Sequence, residues 1–335
     1  MSELNKIALK IVSSGKGILA ADESTATMTK RLESVNVKSN EENRLKFRSA
    51  LFTSKSMSSC IGGVILYDET IKQSYNGKSI PELISETGAV PGIKVDTGAK
   101  KLARSIDEKI TEGLDGLRER LKNYYDLGAR FTKWRAVYLI SEKYPSKLAI
   151  NVNAHALARY ASIVQEAGMV PIVEPEVLMD GNHSAQDCFN KTSEVIKKCF
   201  DELIFQKVDL KGILLKPNMI LPGSKSNQKI TSDEIAELTI KCLINSVPSE
   251  VPGIAFLSGG QSELEATKNL NTINKHNKSK FVMTYSYGRA LQQSALKHWS
   301  KDIKDIEGTQ KIFDHRANMC SLASMGKWFE EVDKI

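Results

Sequence analysis

Residues 212–219 read Gly-Ile-Leu-Leu-Lys-Pro-Asn-Met, and their order carries most of the fold. Gly212–Lys216 is a short apolar run that ends in a lysine and stops at Pro217, which has no N–H with which to extend a strand ladder. Comparable runs recur at Ile18–Ala21, Gly63–Tyr67, Gly92–Val95, Arg130–Arg135, Val170–Glu174, Gly253–Leu257 and Phe281–Tyr285. Rich in Ile, Val, Leu and Phe and bounded by turn residues, they have the pattern of parallel strands buried on both faces.

Longer segments of helical spacing separate these runs, most clearly Ala156–Ala167 and Asp233–Ser246. Gly168 ends the first of them just before the run that starts at Val170. Eight strands alternating with helices predict an α/β protein of the TIM-barrel, (β/α)8 type. An open doubly wound sheet is the competing architecture, but it needs a Gly-x-Gly-x-x-Gly turn after the first strand. Ala20-Ala-Asp-Glu-Ser24 stands there instead. No low-complexity linker divides the chain, so residues 1–335 read as one barrel domain with a short N-terminal helix and a tail at 326–335.

Composition narrows the function. With 335 residues, 41% hydrophobic and 26% charged, the chain has the makings of a folded protein and not of a disordered one. Its longest apolar stretches, such as Gly62–Leu66, fall far short of the roughly 18 residues a membrane helix needs. Lys6 and Lys10 interrupt Met1–Ile11, so no secretory leader is expected. Five scattered cysteines (Cys60, Cys188, Cys199, Cys242, Cys320) form no Cys-x-x-Cys pair and read as reduced thiols of a cytoplasmic protein. The five histidines lack metal-ligand spacing, so neither a metal nor another cofactor is expected. The net charge of +7 is spread, without the basic stripe of a nucleic-acid binder, and favours small anions such as phosphates.

Barrel chemistry collects where strands meet their following loops. Those positions here hold Asp22, Asp68, Lys94 with Asp96, Lys133 with Arg135, Glu174 with Glu176, Lys216, Ser258, and Ser286–Arg289. Residues two apart on a strand share a face, so Lys133/Arg135 and Glu174/Glu176 each aim two charges at one place. Desolvation and a nearby cation such as Lys133 favour the neutral form of an amine, which makes Lys216 a candidate nucleophile. Its bland alternative is a lysine that keeps its head in water. Amine catalysis moves protons at each stage, and two carboxylates held close, Glu174 and Glu176, are expected to split their pKa values so that one carries a proton near neutrality. Asp22 could join them, or could cap the helix expected to end near Val35.

Two glycine loops on successive strands, Ser258-Gly-Gly260 and Ser286-Tyr-Gly-Arg289, suit a phosphate held by backbone amides, a helix start and one guanidinium. Ser24, Thr27, Lys30 and Arg31, with Lys94, could meet a second anion across the mouth.

These residues are familiar as a set. Gly17-Ile-Leu-Ala-Ala-Asp-Glu-Ser24, Gly62-Gly-Val-Ile-Leu66, Gly92-Ile-Lys-Val-Asp96 and Lys133-Trp-Arg135 resemble class I fructose-bisphosphate aldolase. So do Val170-Pro-Ile-Val-Glu-Pro-Glu176, Leu214-Leu-Lys-Pro-Asn-Met219, Phe256-Leu-Ser-Gly-Gly-Gln-Ser262 and Ser286-Tyr-Gly-Arg-Ala-Leu291. The resemblance runs in matching order from about Gly15 to Lys327.

It implies a metal-independent, homotetrameric barrel that reversibly cleaves fructose 1,6-bisphosphate to dihydroxyacetone phosphate and glyceraldehyde 3-phosphate. By position it makes Lys216 the Schiff-base lysine and Glu174 the general acid/base, with Asp22, Lys133 and Glu176 in support. Ser258, Gly259, Gly288 and Arg289 fall on the C1-phosphate ligands. Ser24, Thr27, Lys94 and the flexible Arg31 fall on the C6-phosphate side, with Arg44 and Arg135 as further substrate contacts. A Schiff-base aldolase preferring fructose 1-phosphate or sedoheptulose 1,7-bisphosphate is the alternative. Two departures stand out: Ala26-Thr27 replaces the family's Gly-Ser, and the tail holds Trp328 and Phe329 but no tyrosine. The second leads to the expectation of a relaxed preference for the bisphosphate.

Overall fold

The structure is a computed structural model, and it describes residues 1–334. Eight parallel strands close into a barrel: Gly17–Ala20, Ile61–Leu66, Val90–Lys94, Phe131–Tyr138, Val170–Val177, Leu214–Leu215, Gly253–Phe256 and Val282–Tyr287. Each pairs with its neighbours in sequence, and the first pairs with the eighth. All eight coincide with the runs read from sequence. The sixth is shorter than expected: a 3-10 turn covers Leu210–Gly212, and only Leu214 and Leu215 make ladder pairs before Pro217 ends the strand. The eighth runs two residues further, so Ser286 and Tyr287 belong to it.

Alternation along the strands sorts side chains into two cores. Leu19, Val64, Ile93, Trp134, Val173, Leu215 and Tyr285 point outward and pack under the surrounding helices. Ile18, Ala20, Ile65, Val90, Phe131, Ile172, Leu214 and Ala255 point inward and fill the barrel. The helix Glu3–Ile11 plugs the bottom, burying Ala8 and Ile11 against this inner set. Gly62 permits that approach, since a Cβ there would lie 1.9 Å from the Ile11 carbonyl oxygen.

The helices end and begin where their sequence signals lie. Lys147–Glu166 stops at Gly168, whose φ of +73° is the left-handed geometry that glycine adopts without strain. Three crossover helices, Ala185–Phe205, Ser232–Ser246 and Glu263–His276, each start with a reciprocal capping box built on Ser184, Thr231 and Ser262.

The two-residue period now places the chemistry. Ile172 points in and Val173 out, so Glu174 points in; Leu214 is in and Leu215 out, so Lys216 points in. The same count takes Phe131 to Lys133 and Ala20 to Asp22. Register agrees: Lys94 is level with Lys133, Arg135 with Glu174, and Leu215 with Val173.

Candidate active site

A cavity of about 1310 Å³ opens at the carboxyl end of the barrel. Asp22, Lys94, Lys133, Arg135, Glu174, Glu176 and Lys216 line it, as do Ser24, Thr27, Arg31, Ser258, Gly259, Gly288 and Arg289. Fourteen of the fifteen site residues named through the resemblance therefore share one hollow; Arg44 does not line it, nor does Asp68 among the strand-end residues.

At the floor, Lys216 Nζ lies 3.2 Å from Glu174 Oε1, and Lys133 Nζ lies 3.3 Å from Glu174 Oε2 and 2.8 Å from Asp22 Oδ2. All but Asp22 are about 95% or more buried. Burial raises the Glu174 carboxyl, but Lys133, Lys216 and Arg135 outweigh it and hold the group below its ordinary value. Asp22 is held well below its usual range in the same way, by Lys133, Lys216 and Lys94 against burial. Burial works against the charge on Lys133, yet Asp22, Glu174 and Asp96 push its pKa up.

Two expectations change here. Glu174 and Glu176 are not a proton-sharing pair: Glu176 takes a hydrogen bond from Arg135 Nε at 2.5 Å, and Glu174 is ionised between two lysines. Cations outnumber carboxylates around Glu174, so attraction decides its state. Asp22 is not the helix cap either. Ser24 caps Thr25–Glu33 by accepting from Thr27 N at 3.3 Å, which leaves Asp22 free for Lys133.

The rim carries the anion-binding pieces. Gly259 (φ +55°) and Gly260 (φ +84°) curl the loop after the seventh strand. Gly288 opens the helix Arg289–Trp299 without a side-chain cap, leaving its first amides free beside the Arg289 side chain. Across the mouth, Ser24 and Thr27 hydroxyls lie 3.1 Å apart at the start of their helix. Arg31 is buried, pairs with Glu23 through one nitrogen, and leaves Nε and Nη2 without a partner.

Arg44 has a different task. Its Nε and Nη2 donate to Glu69 at 2.8 and 2.5 Å, turned away from the cavity. A buried guanidinium is costly to leave unpaired, and Glu69 supplies the carboxylate. Sequence reading missed Glu23 and Arg48, which link this pair to the site. Arg48 is 1% exposed and donates to the Glu23 carbonyl and to Thr70 Oγ1, each at 2.7 Å. Glu23 stood beside Asp22 as the only signal.

The tail lies outside the hollow. Residues 330–333 form a turn pinned by Asp333, which accepts from both Arg316 Nη atoms at 2.8 and 2.7 Å and from Trp328 Nε1 at 2.9 Å. Among the described residues, none from Gly326 onward lines the cavity.

Comparison with known proteins agrees with this geometry. The family model described as fructose-bisphosphate aldolase class-I matches residues 3–335. A probable fructose-bisphosphate aldolase class 1 of Xylella fastidiosa (strain Temecula1 / ATCC 700964) is 47% identical over 330 residues, covering 98% of this chain and 99% of that protein. Fructose-bisphosphate aldolase 4, cytosolic, of Arabidopsis thaliana is 49% identical over 326 residues, with coverage of 97% and 83%. A solved structure of fructose-bisphosphate aldolase from Plasmodium falciparum, in complex with TRAP and a small molecule inhibitor, superposes with a TM-score of 0.96 at 44% identity, covering 98% of this chain and 95% of that one. A shared barrel, a match across nearly the whole length and relatives at this identity place the chain in the class I fructose-bisphosphate aldolase family of carbon–carbon lyases.

Proposed function

We propose that the chain cleaves fructose 1,6-bisphosphate reversibly through an imine formed on Lys216. The observation that carries this reading is an inward amine 3.2 Å from an ionised carboxylate, at the floor of a cavity rimmed by two anion sites.

The open-chain ketose lies with its C1 phosphate on Ser258, Gly259, Gly288 and Arg289 and its C6 phosphate on Ser24, Thr27, Lys94 and Arg31. Glu174 takes a proton from Lys216, the resulting neutral amine attacks C2, and the proton its nitrogen then sheds passes to the former ketone oxygen to give the carbinolamine hydroxyl. Glu174 returns its own proton to that hydroxyl, which leaves as water and gives a protonated imine. Cleavage of C3–C4 sends its electron pair into that cation, while Glu174 removes the C4 hydroxyl proton. Glyceraldehyde 3-phosphate departs and an enamine stays on Lys216. Protonation at C3 and hydrolysis then release dihydroxyacetone phosphate. Throughout, Lys133 keeps a fixed positive charge beside the oxygens that gain negative charge, and Asp22 holds Lys133 in place. Glu176 holds Arg135 at the wall.

Borohydride reduction in the presence of dihydroxyacetone phosphate, followed by mass spectrometry of the peptides, tests the assignment. The adduct is expected on Lys216 and absent from Lys216→Ala. Retained trapping in that variant would refute it.

A homotetramer in the cytoplasm completes the reading. Relatives from Arabidopsis thaliana named as cytosolic support the compartment, as do five cysteines that are buried and unpaired. Light scattering is expected to give four times the 37.1 kDa of one chain, and a monomer would count against the assembly.

A further inference from the structure

Pro175 interrupts the ladder between the acid strand and the amine strand at the level of the site. A parallel ladder between Val170–Val177 and Leu214–Leu215 runs normally up to Lys216, whose N–H donates to the Val173 carbonyl at 2.9 Å. The next donor on the acid strand is residue 175, a proline with no N–H to give. On the other strand Pro217 faces the seventh strand, where its carbonyl accepts from Leu257 N–H at 3.1 Å, so it takes no part in this ladder. The ladder is thus broken at the level of Glu174, Glu176 and Lys216.

It closes again one step further through a side chain. Val177 N–H donates to Asn218 Oδ1 at 3.0 Å, where a backbone carbonyl would ordinarily stand. Asn218 is 6% exposed, and its amide nitrogen is spent on the Thr192 hydroxyl and the Met219 carbonyl, each at 3.1 Å. Thr192 sits on the helix Ala185–Phe205 and is itself buried, so the rotamer of Asn218 is fixed from outside the barrel. Both ends of the break are therefore tied: Lys216 N–H to Val173 O before it, and Val177 N–H to Asn218 Oδ1 after it. Glu174 lies between these ties on one strand, and Lys216 lies between them on the other.

We infer that Asn218 is a positioning residue for the Lys216–Glu174 pair, holding amine and carboxylate at proton-transfer distance by closing the ladder beyond the bond that Pro175 removes. This deepens the proposed imine mechanism and rests on it. Asn218 touches no substrate; it acts by keeping two strand ends at a fixed spacing, and the rate of a proton transfer falls steeply when such spacing loosens.

The test compares wild type, Asn218→Leu, Thr192→Val and the double variant, each measured for kcat and KM with fructose 1,6-bisphosphate across pH, and for Tm. Asn218→Leu keeps the volume and removes the acceptor; it is expected to lower kcat by about 10- to 100-fold with KM changed less than about threefold. The acid limb of its kcat profile should move to higher pH, because Glu174 loses a nearby cation that favours its charged form. Thr192→Val should shift both quantities in the same direction by less, and the double variant should add little to Asn218→Leu alone. A fall in Tm with wild-type kcat and an unmoved acid limb would overturn the inference. Should Asn218→Leu fail to fold, Thr192→Val decides by itself, and a wild-type profile there is the overturning result. Borohydride trapping on wild-type Lys216 separates the two readings: without that adduct the imine fails, and with it only the role of Asn218 is at stake.

Discussion

Lys133 reaches across the barrel mouth to Asp22, 2.8 Å away and two residues past the end of a strand that is not its neighbour. Two intervening strands separate their backbones, so the pair is a strut as well as a charge contact. Removing one partner leaves the other buried without its nearest counter-charge, and breaking a buried pair in this way typically costs about 3–5 kcal/mol. Lys133→Met is therefore expected to lower Tm by several degrees and to reduce kcat by about 10²- to 10³-fold. Calorimetry and steady-state cleavage assays check both, and a variant with wild-type turnover would remove Lys133 from the mechanism.

The same carboxylates set the response to acid. Asp22 and Glu174 have folded-state pKa values below their ordinary ones. Groups lowered in this way add stability that is complete above the ordinary carboxylate pKa of about 4 and is lost as pH falls through the folded value. Urea unfolding is thus expected to show constant contributions from both groups at neutral pH and a decline below about pH 4. In Asp22→Asn that decline should be shallower, since one of the titrating groups is gone. An identical acid limb in variant and wild type would contradict the assignment.

Arg31 and Arg289 both line the cavity and are assigned to the two proposed phosphate sites, and substrate choice can tell them apart. Arg31→Ala should raise KM for fructose 1,6-bisphosphate by about 10- to 100-fold, the loss of one charged hydrogen-bond partner, and leave KM for fructose 1-phosphate nearly unchanged. Arg289→Ala should raise KM for both, because both carry the C1 phosphate. The wild-type ratio of the two substrates also measures the preference for the bisphosphate over the monophosphate.

Arg44 provides the contrast. Its two bonds to Glu69 make it a structural cation, so Arg44→Met is expected to lower stability by about 2 kcal/mol or more while leaving the KM for either substrate within about twofold, less than one charged hydrogen bond is worth. A selective rise in the bisphosphate KM would return Arg44 to the substrate site.

Gly62→Ala probes the floor. The added methyl would collide with the Ile11 carbonyl, a backbone atom that cannot rotate away. The helix Glu3–Ile11 must then lift from the barrel interior, and a loss of about 3 kcal/mol or more is expected in urea unfolding, comparable to other core overpacking.

Much of this was legible beforehand because strand chemistry is local. An apolar run bounded by glycine and proline shows as a strand in sequence, and the eight runs appeared where the barrel has them. Two of the features that resisted show why. The sixth strand was read too long because apolar residues before Leu214 suit a strand and a 3-10 turn equally. Arg44 was placed with the substrate because a lone arginine gives no sign of its partner, and Glu69 is 25 residues away.

The order of residues alone determined which side chains stand at strand ends and which point inward, since a two-residue period needs no knowledge of neighbours. Only the closed barrel decided their charges and partnerships. Asp22 is joined to Lys133, Glu174 is shared by two lysines, and Asn218 stands in for a missing backbone bond because strands distant in sequence are brought within a few ångströms. Coulomb and hydrogen-bond energies depend on that separation and on burial, neither of which is written in a linear chain.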